Sequence, residues 1–198
     1  AANIGFRMQV ISPEEIRRLN PFVTTRGVLA GAWTLDDGYV DPTSACTAIA
    51  LAADQLGATI TKFNRVTGIE RLPSGEFRVA TERGDITCEH VVCATGNHAR
   101  ETGRMFGLNV PAIPVEHQYI VYDESAELKA YRASGGREMA VLRESDASYY
   151  LREERLGWIL GPYEKGAPAR FADGVPAQFG KELFPGDLDR LLPHVEAA

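Results

Sequence analysis

Apolar and polar positions follow two different rhythms along this 198-residue chain. In the first half, helix-like stretches alternate with short β-like runs. Beyond Pro111 four strand-like runs follow one another between polar turns. Ser12-Pro13-Glu14-Glu15 starts the first helix: Ser12 suits the cap, Pro13 the first helical position, and Glu15 completes a capping box. Asn20-Pro21 ends it. Val28–Trp33 reads as a strand, Asp36-Asp37-Gly38 as a turn, and Asp41-Pro42 as the start of an Ala-rich helix that closes at Gly57.

After Gly57 the rhythm is β. The segments 58–63 and 66–72, a hairpin turn at Pro73-Ser74-Gly75, the segment 76–82 and a second turn at 83–85 predict a meander. It ends in a buried strand over 90–94 that runs into Thr95-Gly96, and a helix from His98 to Phe106 follows. The segments 115–123, 139–143, 148–154 and 157–164 predict an antiparallel sheet. From Lys165 the chain is irregular and rich in Gly and Pro, until Pro185-Gly186-Asp187 opens a last helix over 187–198. The change of rhythm places a domain transition at 107–114.

A composition of 44% hydrophobic and 24% charged residues belongs to an ordinary globular chain. The net charge of −6 offers no basic excess for phosphates, which argues against nucleic acid as a partner. No apolar run is long enough to span a bilayer. The odd count of three cysteines, without a CxxC pair, argues against both a disulfide framework and a zinc site, so no metal is expected. The start, Ala1-Ala2 with neither Met nor a signal pattern, reads as a cut inside a longer protein.

Three places are candidates for chemistry. In His90–Arg100 a buried strand ending in Ala94-Thr95-Gly96 would put side-chain-poor backbone at the carboxyl edge of a sheet, where ligands of open α/β folds bind. A tight strand-to-helix turn explains the same residues equally well. The helix after Asp41 and the extended segment to Val66 make a βαβ-like unit, a common arrangement. His117, alternating with Val115 and Tyr119 on one strand face, reads more readily as a hydrogen-bonded core residue than as a catalyst. Tyr149-Tyr150 would bring a phenol to the same sheet.

In order along nearly the whole chain, SPEEIRRLNPF, DGYVDPTSACTAIALAADQLGATI, RVTGIERL, HVVCATGNHAR, PVEHQYIVYD, SYYLREERLGWILGPYE and ELFPGDLDRLLPHVEAA resemble the D-amino-acid-oxidase-like flavoproteins. VEHQY, LGPYE and FPGDLDRL point to the dimethylglycine and sarcosine dehydrogenase group within them. The resemblance implies a mixed α/β and α+β fold. Residues 1–110 would be a partial, glutathione-reductase-like FAD-binding domain of βαβ and meander. Residues 111–198 would be an antiparallel substrate domain of D-amino-acid-oxidase type.

It also implies FAD as cofactor, with the backbone at Val66 by the adenine and Ala94, Thr95 and Gly96 by the ribose and phosphates. His117 and Tyr150 (or Tyr149) would face the substrate. The implied reaction is oxidative demethylation of a small N-methylated amino acid, with a flavoprotein or oxygen as electron acceptor. Tetrahydrofolate would take part through a domain absent here. The GxGxxG fingerprint is missing, and the pyrophosphate normally rests on its helix. The segment alone is therefore expected to bind FAD weakly or not at all and to be inactive. The implied location is the cytoplasm, or the mitochondrial matrix in a eukaryote. A non-catalytic regulatory relative, another amine or amino-acid flavoenzyme, and a ligand-free folding or interaction domain are the alternatives.

Overall fold

The computed structural model describes residues 5–180 and 182–198, so the opening residues of the expected 1–110 domain lie outside the described residues. In chain order the elements are β1 (Met8–Ile11), α1 (Pro13–Leu19), β2 (Gly31–Thr34), α2 (Pro42–Gln55), β3 (Val66–Arg71), β4 (Phe77–Thr81) and β5 (Gly84–Cys88). A 3-10 turn (Gly96–His98) leads into α3 (Ala99–Met105). Then come β6 (Ile120–Val121), α4 (Ala126–Ala133), β7 (Leu142–Glu144), β8 (Tyr149–Glu154), β9 (Gly157–Pro162) and α5 (Leu188–Ala197). Two compact units form: Ala1–Pro42 with His117–Lys165 and Gly186–Ala198, and Thr43–Glu116 with Gly166–Pro185. Among the described residues no helix is long and apolar enough to cross a membrane.

The first unit is built on the antiparallel sheet β6-β9-β8-β7, with β1 and β2 as a separate pair. Cross-strand partners share a face. Leu151 lies opposite Leu160, which lies opposite Ile120. Two residues before Leu151, and so on the same face, Tyr149 lies opposite Pro162. Leu160 and Leu128 of α4 are fully buried, and Tyr149, Leu191 of α5 and Met139 join the core. The side chain of Phe22 packs edge-on against Tyr131 and Trp158, 5.6 Å between ring centres in each case.

Capping chemistry sets the helix starts. Ser12 accepts from the Glu15 amide at 3.3 Å while Glu15 accepts from the Ser12 amide at 3.0 Å, the expected box. Ser125 caps α4 and Asp187 caps α5.

The second unit holds the meander β3-β4-β5. The pairing register shifts between Val66 and Gly68 on its first strand. α2 ends at Gly57, whose φ of +94° and the following Ala58 amide, bonded to Ala53 at 3.0 Å, form a glycine C-cap.

Side chains of α3 and its lead-in turn hold the return segment of this unit. His98 Nε2 meets the Phe179 carbonyl at 3.2 Å, Arg100 donates to the Ala172 carbonyl, and Glu101 accepts from the Val175 amide at 2.9 Å. Burial, the largest influence on Glu101, acts to raise its pKa. The amides of Val175 and of Glu101 itself, with His98 and Arg104 nearby, outweigh it and hold the carboxyl below the usual carboxylate range. A depressed folded pKa means the unfolded chain binds more protons. This tie is therefore fully present above the ordinary Glu value of about 4.3 and is lost as pH falls through the folded one. The protection of the Val175 amide, its exchange measured relative to the intrinsic rate at each pH, is expected to fall on acidification across that window, and Glu101→Gln to remove this pH dependence of protection. An unchanged exchange profile in the variant would show that the carboxylate is not the tie.

Several expected strands do not form. The segments 58–63 and 90–94 join no ladder, and Val92 is 88% exposed. A buried strand satisfies its amides and carbonyls only through neighbours on both sides. None of the described residues supplies them here. The same holds for α2, which buries no residue and leaves Ile49 and Leu56 exposed.

The strand expected over 115–123 shrinks to Ile120–Val121. On one side the chain turns to another partner: Val115 bridges Ala169, and the Glu116 amide bonds the Pro168 carbonyl at 2.9 Å. On the other, the Gln118 side chain replaces a ladder, donating to the Asp187 carbonyl at 3.0 Å and accepting its amide at 2.9 Å.

Candidate functional site

Strand register builds the site within the first unit. Arg143 of β7 pairs with Tyr150 of β8, which pairs with Gly161 of β9. The three therefore form a row on one face of the sheet, and Tyr149 points to the other, where its hydroxyl lies 3.5 Å from the Ala197 carbonyl. Gly161 is required in that row. A Cβ built there would overlap the ring and hydroxyl of Tyr150, so the missing side chain lets the phenol lie across β9. The Tyr163 amide bonds the Ser148 carbonyl at 2.7 Å, extending the pairing beyond Pro162. This places the Tyr163 ring 6.0 Å from that of Tyr150.

The ring of Tyr163 also stands 6.4 Å from His117, nearly edge-on. His117, expected on an apolar strand face, is instead exposed on irregular chain just before β6. The structure thus brings His117 and Tyr150 together through a third ring that the sequence reading had only as part of the GPYE motif. Burial, reinforced by Tyr163, pushes the Tyr150 phenol above its ordinary value of 10.0, against the pull of Arg152 and Arg143. Tyr150 is therefore a neutral hydrogen-bond donor at physiological pH.

Of these residues Arg143, Tyr150, Arg152 and Tyr163 line a cavity of about 770 Å³, together with Trp33, Tyr39, Met139 and Leu142. At its other end the Tyr39 hydroxyl bonds the Glu138 carboxylate, and the guanidinium of Arg152 sits 4.7 Å from the Tyr39 ring centre. The hydrogen bond to Glu138 pushes the Tyr39 phenol up. A concave, mainly apolar hollow with a few converging polar groups suits a small molecule. Among the described residues no three His, Cys, Asp or Glu side chains converge to hold a metal.

The remaining sequence candidates lie in the second unit. Val66 opens β3 opposite Thr81 and is partly exposed. Ala94, Thr95 and Gly96 are exposed, and Gly96 has φ +54° with nothing within 4 Å of an added Cβ. Thr95 Oγ1 meets Thr102 Oγ1 at 3.0 Å, tying the turn to α3. Side-chain-poor, ladder-free backbone with open space above it fits close approach of a flat or anionic group.

A family model described as FAD dependent oxidoreductase matches residues 1–197, and the chain belongs to that family. It is 42% identical over 194 residues to the mitochondrial dimethylglycine dehydrogenase of Rattus norvegicus, covering 96% of this chain and 22% of that protein. To the mitochondrial sarcosine dehydrogenase of Mus musculus it is 34% identical over 200 residues, 98% of this chain and 21% of that one. The chain thus spans 22% or less of the length of these curated relatives. The crystal structure of L-proline dehydrogenase from P.horikoshii superposes with a TM-score of 0.66 at 27% identity, over 83% of this chain and 42% of its own. The mixed fold of helices and antiparallel sheets is that of this flavoprotein class.

Proposed function

We propose that this chain is part of an FAD-dependent oxidoreductase that oxidatively demethylates a small N-methylated amino acid such as dimethylglycine or sarcosine. The observation that carries the reading is the pair of Tyr150 and Tyr163 on one cavity of the first unit, with the His117 ring 6.4 Å from that of Tyr163. The likeness to two N-methylglycine dehydrogenases supports it. Substrate-facing groups then lie within 111–198 and cofactor-facing groups within 1–110.

His117 takes the ammonium proton of the bound amine, because only a neutral nitrogen has the lone pair that oxidation of its methyl group requires. Tyr150 and Tyr163 wall the amine with aromatic faces, which attract alkylammonium groups. The Tyr150 hydroxyl donates a hydrogen bond. FAD, when bound, supplies the acceptor for a hydride equivalent from the N-methyl carbon. The exposed backbone of Ala94, Thr95 and Gly96 would hold its ribose and phosphates, and that of Val66 its adenine, together with segments outside this chain. A flavoprotein or oxygen would reoxidise the enzyme, tetrahydrofolate would take the released carbon through a further domain, and the matrix or cytoplasm would be its location.

The test is visible absorption of the intact protein before and after anaerobic dimethylglycine or sarcosine. Flavin bands that bleach with either amine are the expected result. A yellow protein indifferent to both would move the assignment to another flavoenzyme, and a colourless one that cannot be reconstituted would remove the cofactor.

A further inference from the structure

His117 and Tyr163 both lie just outside a strand: β6 begins beyond the first, at Ile120, and β9 ends before the second, at Pro162. Among the described residues His117 has no ladder partner, so strand pairing does not fix the 6.4 Å between the two rings. The residue next to each ring is tied instead to one turn of helix. The Gln118 side chain pairs with both backbone groups of Asp187, donating to its carbonyl at 3.0 Å and accepting its amide at 2.9 Å. Asp187 caps α5, its carboxylate accepting the Arg190 amide at 3.1 Å. The Arg190 guanidinium then reaches Glu164, Nε to Oε2 at 2.7 Å. All of these residues belong to the first unit.

We propose that the first turn of α5 is a brace that sets the spacing of His117 and Tyr163, with Gln118 the positioning residue for the first ring and the Arg190–Glu164 pair for the second. The inference rests on the demethylation reading for what the two rings do, but the brace stands on its own geometry. The Gln118 amide engages a donor and an acceptor of Asp187 at once, which fixes the plane of its side chain and leaves the adjoining His117 backbone little freedom. At the other end the Glu164 side chain is only 6% exposed, and its Oε1 has no hydrogen-bond partner among the described residues. A carboxylate this deeply buried is held by its cation, because an uncompensated charge is costly away from water.

The experiment follows anaerobic flavin reduction by dimethylglycine in the intact protein. Gln118→Met keeps the side-chain length and loses both bonds to Asp187. It is expected to lower the limiting rate about 10- to 100-fold near neutral pH, the cost of slightly misplacing a reacting group, with less effect on half-saturation. The defect should shrink as pH rises, because an amine already neutral in solution needs no acceptor. Added to His117→Ala, Gln118→Met should change the rate less than about threefold, since both act through one ring. Arg190→Met should instead raise the half-saturating concentration about 3- to 10-fold, through Tyr163, with less effect on the limiting rate. Arg190→Lys, which keeps a donor for Glu164, should recover part of that loss. Crystal structures of the wild type and of Gln118→Met give a readout apart from turnover: the His117 ring should leave the edge of Tyr163 in the variant alone.

A defect that does not change with pH, or one that adds in full to that of His117→Ala, overturns the proposal, since either marks general damage to the fold. A variant structure in which the two rings keep their places does the same. Displaced rings in Gln118→Met, in a protein whose wild type neither dimethylglycine nor sarcosine reduces, support the brace and remove the demethylation reading. Reduction by either amine at a rate indifferent to Gln118→Met does the reverse.

Discussion

His117→Ala in the intact protein is expected to slow anaerobic flavin reduction by dimethylglycine about 100- to 10,000-fold, the usual worth of a positioned acid–base group. Stability should stay within about 0.5 kcal/mol of wild type, as for an exposed position outside any special packing. The two expectations belong together. A structural histidine is normally buried and bonded at both ring nitrogens, whereas His117 is exposed and, among the described residues, its one recorded contact is the edge of the Tyr163 ring. Removing it leaves no buried donor or acceptor unsatisfied. Stopped-flow reduction and urea denaturation of the same preparation separate the cases. A slow, stable variant fits a proton acceptor, and a normal rate with a stable fold would take His117 out of the chemistry. His117→Gln, which keeps polarity but cannot accept the ammonium proton as readily, should resemble alanine in rate.

What could be read from the chain in advance follows where each determinant resides. Caps are local, so Ser12, Gly57 and Asp187 mark their helix ends in the sequence and again in the structure. The meander and the later strands were legible because alternation and turn residues lie within a few positions of each other. The segments 58–63 and 90–94 were misread for the opposite reason. Their apolar character suits a strand, but a strand forms only against partners, and the described residues provide none. Gln118 shows a second failure: a side chain taking over backbone pairing to Asp187 cannot be seen in a hydrophobic pattern. α4 was missed although Ser125 followed by good helix formers is a usable start signal.

The site divides along the same line. His117 and the pair Tyr149-Tyr150 stood out on strand-like runs and took their roles, with Tyr150 preferred, from resemblance to a family, whereas the face that each tyrosine occupies needed register. Arg143 and Gly161 stand 7 and 11 positions from Tyr150 in sequence, and only the pairing of three strands makes them neighbours.

Two glycines four residues apart on β9 should separate fold from function. An added Cβ at Gly157 would come within 2.5 Å of the carbonyl oxygens of both Tyr122 and Asp123. Those carbonyls belong to backbone locked to β9 and its turn, since the Tyr122 amide bonds the Trp158 carbonyl at 2.8 Å and the Ser125 amide bonds the Leu156 carbonyl at 2.8 Å. Neither can retreat without breaking a ladder bond and disturbing Leu160, the fully buried centre of the sheet. Gly157→Ala is therefore expected to cost about 1–3 kcal/mol, the range for overpacking a tight site. At Gly161 the obstacle is the far end of the half-buried Tyr150 side chain, which can swing aside. Gly161→Ala should cost less stability than Gly157→Ala while displacing the phenol from the cavity, so that it mimics loss of Tyr150 in dimethylglycine kinetics. Adding Tyr150→Phe to Gly161→Ala should then do little further harm, because both changes act through one ring. Urea midpoints and KM values for the three variants decide the matter. Equal stability losses at the two glycines, or additive kinetic defects, would mean that Tyr150 does not depend on the bare backbone of Gly161 for its place.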